Sequence, residues 1–256
     1  MKIDKKVFFK NNGYYIEKGL FDKSEIAVLD KEFNKIISQL EKSGENINAN
    51  WRSDLTKDID PKNSKIIHTH NVQSYSSIML SMVQNKKLLK IVESFIGQDI
   101  VLHHTKLFLK PPYIGSAFPL HQDWSYFPTE KNTMIAAVIH ISDSTDNMGC
   151  IRLIPESNNL GKVKNSDGHS FIKKLHGKHS LHSATSVEAR SGDVLFFHSC
   201  TLHGSMPNKS DKPRKTILIQ LYSGKDKIIK DNQHTNVQLV LKGWNYNSTR
   251  KTVENL

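Results

Sequence analysis

The sequence predicts a mainly β protein with flanking helices, and a jelly roll is the architecture that fits it. Two helical patterns occupy the first part of the chain, and after residue 98 the chain changes to short apolar segments separated by turn-forming stretches. Helices followed by many short strands favour an antiparallel sandwich or barrel, and a jelly roll closes such sheets. We expect the N-terminal helices to buttress that β-structure.

The first helical pattern is "DKSEIAVLDKEFNKIISQLEK". Apolar residues recur three or four positions apart from Ile26 to Leu40, which is the spacing of an amphipathic helix. Asp22 and Glu25 stand where a capping box places them. The pattern therefore predicts a helix over about 23–42.

The second helical pattern is "NKKLLKIVESFIG". Asn85 fits the N-cap, and Gly97 fits the left-handed position that follows a helix. The stretch between the two helices, 44–65, is rich in polar and turn-forming residues and predicts a loop.

Five β-rich segments follow, and turn-forming stretches such as "PPYIGS", "DSTDNMG" and "RSGD" separate them. The segments are "DIVLHHTKLFLK", "MIAAVIHIS", "CIRLIPES", "DVLFFHS" and "RKTILIQLYS". The length of 256 residues fits one domain. We expect a helical part over about 1–97, a jelly-roll core over about 98–224 and a C-terminal extension over about 225–256.

Composition limits the partners and the compartment. The formal net charge is +11, which brings nucleic acid into consideration, but the lysines are spread along the whole chain, so nucleic acid is not an expected partner. No apolar run approaches a membrane span or a signal peptide, so we expect a cytoplasmic protein without a membrane partner. Cys150 and Cys200 are expected to be reduced and buried. The sequence makes no prediction of oligomeric state.

The segment "HQDWSYFP" contains a His-x-Asp pair, His121 and Asp123. In an extended segment alternate residues point to the same side, so an imidazole and a carboxylate converge. Downstream, "GDVLFFHSCTLHGS" delivers His203 after a buried strand. Two imidazoles and one carboxylate, with the opposite positions open, suit a non-haem Fe(II) oxygenase.

Arg214 follows His203 by eleven residues (214 − 203) and begins the next β-rich segment. A guanidinium beside a metal site offers a planar pair of donors to a carboxylate, which would hold the far end of a dicarboxylate co-substrate. The alternative is an ordinary surface arginine after a turn.

These segments together resemble the phytanoyl-CoA dioxygenase family of Fe(II)/2-oxoglutarate oxygenases. The similar blocks are "NNGYYIEKGLFDKSEI", "LKPPYIGSAFPLHQDWSYFP", "MGCIRLIPESN", "SGDVLFFHS" and "LHGSMPNKSDKPRKTILIQLY". The resemblance implies a double-stranded β-helix of the jelly-roll, cupin-like type. It also implies Fe(II) held by His121, Asp123 and His203, 2-oxoglutarate held by Arg214, and O2 as the second co-substrate.

The resemblance carries three further positions to the co-substrate site. Gln122 matches the family's residue between the metal ligands, and Lys65 matches a lysine near the co-substrate. Lys106 stands where relatives have an uncharged residue, so it reaches 2-oxoglutarate, reaches an anionic substrate, or points away. Asp123 is intact, whereas halogenating relatives replace this carboxylate, so hydroxylation is the expected outcome.

The substrate is expected to be a small molecule. Trp124 and Tyr126, with Phe127 beside them, either line its pocket or belong to the core. Arg152 either faces the cavity or lies on a strand surface. Lys106, Arg152 and the lysine excess favour an anionic metabolite over a neutral one.

Other histidines have simpler explanations. His68 and His70 form a His-x-His pair in a segment that relatives fill with structural residues, so a second metal site is not expected. His198 is expected to be packed or to orient a ligand.

Three classes of function stay open at this point. They are the oxygenase, a metal-binding jelly roll that acts as a binding module or a hydrolytic site, and a nucleic-acid binder.

Overall fold

The computed structural model describes residues 4–48, 56–163, 179–229 and 235–250. Two antiparallel sheets, one of seven strands and one of four, pack face to face. Helices cover the other face of the larger sheet. The predicted class, a mainly β jelly roll with a helical buttress, is confirmed.

Four α-helices occur in the described residues: α1 (Lys5–Asn12), α2 (Lys23–Ser43), α3 (Ser77–Val83) and α4 (Lys86–Ile96). Helix α2 has the predicted capping box, in which Asp22 accepts from the Glu25 amide and Glu25 accepts from the Asp22 amide. Asn85 caps α4 as expected. The prediction for Gly97 was wrong in detail, because its φ of 92° is positive but its ψ of 178° is not that of the left-handed helix.

The larger sheet contains four of the five predicted segments, together with short strands near both ends of the chain. The fifth segment, "CIRLIPES", forms a strand of the smaller sheet. Its strands are β1 (Tyr14–Glu17), β2 (Ile67–His70), β3 (Ile100–Lys110), β5 (Ile135–His140), β8 (Val194–His198), β10 (Arg214–Ser223) and β11 (Leu239–Lys242). The smaller sheet contains β4 (Phe118–His121), β6 (Ile151–Leu153), β7 (Thr185–Val187) and β9 (His203–Ser205).

The first 97 residues are not purely helical, which corrects the expected division. Strand β1 pairs with β8, and β2 pairs with β3, so this part of the chain contributes to the larger sheet as well as covering it. The predicted loop over 44–65 is described except for 49–55, and its described parts contain turns and isolated bridges without a helix or an extended strand.

Strand β10 shows how the larger sheet divides the core. Ile217 and Ile219 face the helices and belong to the main hydrophobic cluster. Thr216 and Leu218 point the opposite way, into a cavity between the sheets. This alternation places every second residue of β10 beside the candidate site.

Among the described residues, no helix combines the length and the apolar character that a membrane crossing requires. Cys150 and Cys200 are both buried and are free thiols.

Candidate metal centre and active-site cavity

A cavity of about 270 Å³ lies between the two sheets. Phe108, Val138 and Leu218 line it from the larger sheet, and Phe118 and Ile151 line it from the smaller one. Most of its wall is therefore apolar, and the few polar groups that reach it determine what it can bind.

His121, Asp123 and His203 come together at this cavity. His121 ends β4, and it lies directly opposite His203 at the start of β9. The Asp123 Oδ1 atom is 3.8 Å from the His121 Nε2 atom and 3.7 Å from the His203 Nε2 atom. Among the described residues, these three form the one cluster whose ligand atoms could hold a metal ion.

The route by which Asp123 reaches the histidines differs from the expectation. Strand β4 ends at His121, and Asp123 begins a short 3₁₀ helix, Asp123–Ser125. The pair therefore converges because the backbone turns after the strand, not because both residues alternate within one strand.

Backbone carbonyls fix the tautomer of both histidines. The His121 Nδ1 atom donates to the Pro119 carbonyl at 2.8 Å, and the His203 Nδ1 atom donates to the Thr201 carbonyl at 3.0 Å. A proton on Nδ1 leaves the Nε2 atom, which lies near Asp123, with a lone pair that can bind a metal ion. Burial, with the neighbouring His203 next, lowers the pKa of His121 to about 3, so its imidazole is neutral at pH 7.

The second oxygen of the Asp123 carboxylate is also fixed. Its Oδ2 atom accepts from the Gln220 Nε2 atom at 3.1 Å, and Gln220 is fully buried. Two imidazole nitrogens and one oriented carboxylate oxygen, with a cavity on their open side, are a donor set that fits Fe(II).

Arg214, the first residue of β10, lines the same cavity and is 3% exposed. One guanidinium nitrogen, Nη1, donates to the Gly149 carbonyl, while Nε has no hydrogen-bond partner among the described residues. Burial lowers the pKa of Arg214 to about 10, which keeps it charged at pH 7. A buried guanidinium with an unused N–H fits the carboxylate of a dicarboxylate ligand.

Lys110 was not predicted as a site residue, yet it lies opposite Arg214 in the register of β3 and β10. It is fully buried, and its Nζ atom donates to the Ser205 Oγ atom and to the Met206 carbonyl, both at 2.6 Å. Burial first, and then the charge of Arg214, lower its pKa well below the usual value.

Lys106 is half-buried and lines the cavity two residues before Phe108 on β3. Its Nζ atom lies 5.0 Å from the centre of the Phe127 ring, and it forms no ion pair with a described residue. Burial lowers its pKa to about 8, against an opposing effect of Asp123. Tyr126 and Phe127 line the same part of the cavity.

Gln122 lies outside the cavity, which corrects its expected place in the co-substrate site. Its Nε2 atom donates to the carbonyls of Gly161 and Cys200, and its Oε1 atom accepts from the Val163 amide. The side chain points away from the metal cluster and forms hydrogen bonds with the backbone at three loop positions.

Three other predicted site residues also lie elsewhere. Lys65 is exposed and does not line the cavity. Trp124 does not line the cavity, and the Lys162 ammonium lies 5.2 Å from its ring centre. Arg152 makes three hydrogen bonds to the Asp146 carboxylate, so its charge is already paired. The partner of Trp124 comes from a distant part of the chain, whereas Asp146 precedes Arg152 by only six residues and meets it because of the turn before β6.

Two histidines with no expected role do reach the cavity. His68 and His70 point inward from β2, paired with Phe108 and Lys106 of β3. Burial lowers the pKa of His68 to about 4. His198 is a packed residue that does not contact the metal cluster, because its nitrogens bond to backbone groups of Asn132 and Cys200.

The alternation of side chains along a strand would have predicted two site residues that the sequence analysis did not include. Ser205 follows His203 by two residues on β9, and Gln220 follows Arg214 by six on β10. In a strand, even separations place side chains on the same face, so both residues belong beside the site that their neighbours define.

Known proteins match this chain over most of its length. The profile of the phytanoyl-CoA dioxygenase (PhyH) family matches residues 9–216. The peroxisomal phytanoyl-CoA dioxygenase of Homo sapiens is 29% identical, over 85% of this chain and 67% of that protein. A probable alpha-ketoglutarate-dependent hypophosphite dioxygenase of Stutzerimonas stutzeri is 25% identical, over 83% of this chain and 78% of that protein.

A solved structure shares the fold. The epimerase SnoN, crystallised in complex with Fe3+, alpha ketoglutarate and nogalamycin RO, superimposes with a TM-score of 0.73 at 17% identity, over 92% of this chain and 96% of that one.

Fold and family together define the class of this protein, which is that of the Fe(II)- and 2-oxoglutarate-dependent oxygenases. Within that class, the chain belongs to the phytanoyl-CoA dioxygenase (PhyH) family. This places it in the first of the three functional classes that its sequence left open.

Proposed function

We propose that this chain is a hydroxylase in which His121, Asp123 and His203 bind Fe(II) and Arg214 binds the distal carboxylate of 2-oxoglutarate. The reaction is the hydroxylation of a C–H bond in a small metabolite, with release of succinate and CO2. The observation that supports this most directly is the convergence of two Nε2 atoms and one carboxylate oxygen beside a cavity that also contains a buried arginine.

The bound iron, with 2-oxoglutarate and O2, supplies the oxidising power, and the protein supplies position and electrostatics. The Pro119 and Thr201 carbonyls accept from the Nδ1 atoms of the two imidazoles, which leaves both Nε2 atoms to bind the metal. Arg214 orients the co-substrate through charge-assisted hydrogen bonds. Apolar walls such as Phe108 and Phe197 keep bulk water away from the reacting groups.

The substrate we propose is a small anion. Lys106 supports this, because its ammonium faces the cavity without an ion-pair partner among the described residues. Arg152 does not contribute, since Asp146 already pairs it. The cavity of about 270 Å³ favours a small ligand, because sites for larger ones typically reach several hundred Å³ or more.

The proposed activity is tested by measuring succinate formation from 2-oxoglutarate with Fe(II) and O2. His203→Ala is expected to abolish succinate formation and to leave a folded protein, because the histidine ends in a cavity and not in the packed core. His182→Ala, which removes an exposed histidine, is the matched control and should retain full activity. Full activity of His203→Ala would exclude the assigned ligand set.

The substrate class is tested by incubating the enzyme with a metabolite extract and searching for oxygen-dependent gains of one oxygen atom by mass spectrometry. The oxidised compound is expected to be an anion. Lys106→Met should slow its oxidation at least ~10-fold, because a partly desolvated charge pair is lost, while substrate-independent decarboxylation of 2-oxoglutarate persists. A neutral compound oxidised equally well by both proteins would contradict the proposal.

We also propose that residues 1–256 act as one catalytic unit, with 98–224 as its core. The shared hydrophobic cluster of helices and larger sheet supports this, as does the pairing of β11, from the extension, with β3. The cytoplasmic location stays a prediction.

A further inference from the structure

Two basic side chains are buried side by side, and one of them, Arg214, lines the cavity. Lys110 is 0% exposed and Arg214 is 3% exposed, and they are directly opposite each other on neighbouring strands. Burial lowers the pKa of both side chains, and the charge of Arg214 lowers the pKa of Lys110 further, so the shared environment disfavours positive charge. Adjacent buried cations are costly unless an anion accompanies them.

No described residue supplies that anion. Neither Lys110 nor Arg214 forms an ion pair with a described carboxylate. Asp60 acts on Lys110 only at a distance, and its own oxygens accept from Ser116 Oγ and from the Ala117 amide. The two basic groups therefore have no counter-charge among the described residues, and an anionic ligand would supply one.

Ser205 connects the lysine to the cavity. Its Oγ atom accepts from the Lys110 Nζ atom at 2.6 Å, so its own proton is available to another acceptor. Ser205 and Arg214 both line the cavity. A carboxylate that meets the guanidinium can thus also accept from a hydroxyl group that the ammonium polarises.

A role in packing alone does not account for a lysine here. The two hydrogen bonds of Lys110 go to a hydroxyl and a carbonyl, which are neutral acceptors. A neutral donor would satisfy them without placing a second positive charge beside Arg214.

We infer that Lys110 is a positioning residue for the co-substrate. It acts through the Ser205 hydroxyl, which binds the distal carboxylate of 2-oxoglutarate together with Arg214. This inference rests on the proposed function. It predicts that two cations, and not one, produce the preference of the site for a dicarboxylate.

The experiment compares 2-oxoglutarate with 2-oxopentanoate, which keeps the 2-oxo acid group but has a methyl group in place of the distal carboxylate. Binding of each acid to the Mn(II)-loaded protein is measured by calorimetry. Lys110→Met should weaken 2-oxoglutarate binding at least ~10-fold and leave 2-oxopentanoate binding unchanged. Lys209→Met removes an exposed lysine from the segment between β9 and β10 and should alter neither affinity.

A second variant avoids any effect of Lys110→Met on folding. Arg214→Met should retain a several-fold preference for 2-oxoglutarate, because Lys110 is still present, and the double variant should lose it. Equal weakening of both acids by Lys110→Met would show a purely structural lysine, and complete loss of preference in Arg214→Met alone would also overturn the inference. A wild-type protein that binds neither acid would refute the proposed function itself.

Discussion

At the scale of single residues, Gln220 is the group that holds the Asp123 carboxylate from the side opposite the histidines. Gln220→Leu removes this donor and leaves the carboxylate free to rotate. We expect Mn(II) affinity to fall by about 10- to 100-fold, which is typical for the loss of a residue that orients a metal ligand. Calorimetric titration of the protein with Mn(II) measures this.

The matched control is Gln39→Leu, which makes the same replacement at an exposed position of α2. It should bind Mn(II) like the wild type. Unchanged metal affinity in Gln220→Leu would show that the Asp123 carboxylate is held without this hydrogen bond.

His140 gives the fold a dependence on pH that is separate from the metal site. It is fully buried, and burial, with Arg214 next, lowers its pKa to about 4. Between pH 6.5 and about 4 the unfolded chain therefore binds one more proton at this residue than the folded protein does. The stability it contributes is present above pH 6.5 and is lost as the pH falls, by about 1.4 kcal/mol per pH unit.

His140→Gln removes this titration and keeps a polar side chain near the Asp193 carbonyl. From pH 6.5 to 4.5 the wild type should lose about 2–3 kcal/mol more of its free energy of unfolding than the variant does. Urea denaturation at a series of pH values, without added metal, measures both. Parallel pH profiles would contradict the prediction, because the other histidines contribute equally to the two proteins.

The residue types and their spacing in the sequence predicted the four main residues of the site. They did not predict Lys110, Ser205 or Gln220. His121, Asp123, His203 and Arg214 all reach one cavity, although only Arg214 starts a strand that the pattern predicted. His121 and His203 lie on the short strands β4 and β9, and Asp123 begins a 3₁₀ helix. Their roles stay predictions. Gln122, Lys65, Trp124 and Arg152 do not line the cavity, and for Trp124 and Arg152 the sequence had left that alternative open.

At the scale of elements, the turn before β6 determines where Arg214 is held. Gly149 has a φ of +66°, and its carbonyl accepts from the Arg214 guanidinium. A Cβ atom at this position would lie 2.2 Å from the Met206 carbonyl oxygen, which itself accepts from Lys110. The turn therefore tolerates only glycine, and any shift of it moves both cations.

Gly149→Ala is expected to reduce 2-oxoglutarate affinity at least ~10-fold, because it displaces partners of both Arg214 and Lys110. Gly44→Ala is the control, since Gly44 also has a positive φ, of +74°, but has no atom within 4 Å of its Cβ position. It should lose about 1–2 kcal/mol of stability from backbone strain alone and keep its 2-oxoglutarate affinity. Equal affinities in the two variants would contradict this account.

The elements that the sequence predicted are the long or strongly patterned ones. Helices α2 and α4 carry caps and an apolar face, and the five β-rich segments each became a strand. Strands β1 and β2 escaped prediction because each has four partly buried residues without clear alternation. Such strands form because a neighbouring strand accepts them, and the paired residues are 36 to 42 positions away for β2 and 177 to 183 positions away for β1.

At the scale of the whole molecule, the candidate site joins the two sheets. His121 and His203 belong to the smaller sheet, whereas Arg214 and Lys110 belong to the larger one. Across the cavity, apolar side chains such as Leu153 of the smaller sheet and Phe197 of the larger one make the direct contact between them. A metal ion with 2-oxoglutarate would therefore add a polar link to the apolar packing and the Lys110–Ser205 hydrogen bond that already join the two layers.

This arrangement predicts that the two ligands stabilise the fold in separable steps. Mn(II) alone should raise the midpoint of thermal unfolding, and 2-oxoglutarate should raise it further only when the metal is present, because its 2-oxo acid end needs the ion. Each ligand at 100 times its Kd contributes about 2.7 kcal/mol to the free energy of unfolding. Arg214→Met should keep the metal step and lose most of the 2-oxoglutarate step. Equal stabilisation by 2-oxoglutarate with and without Mn(II) would show that the co-substrate binds away from the metal centre, and the link between the sheets would then be wrong.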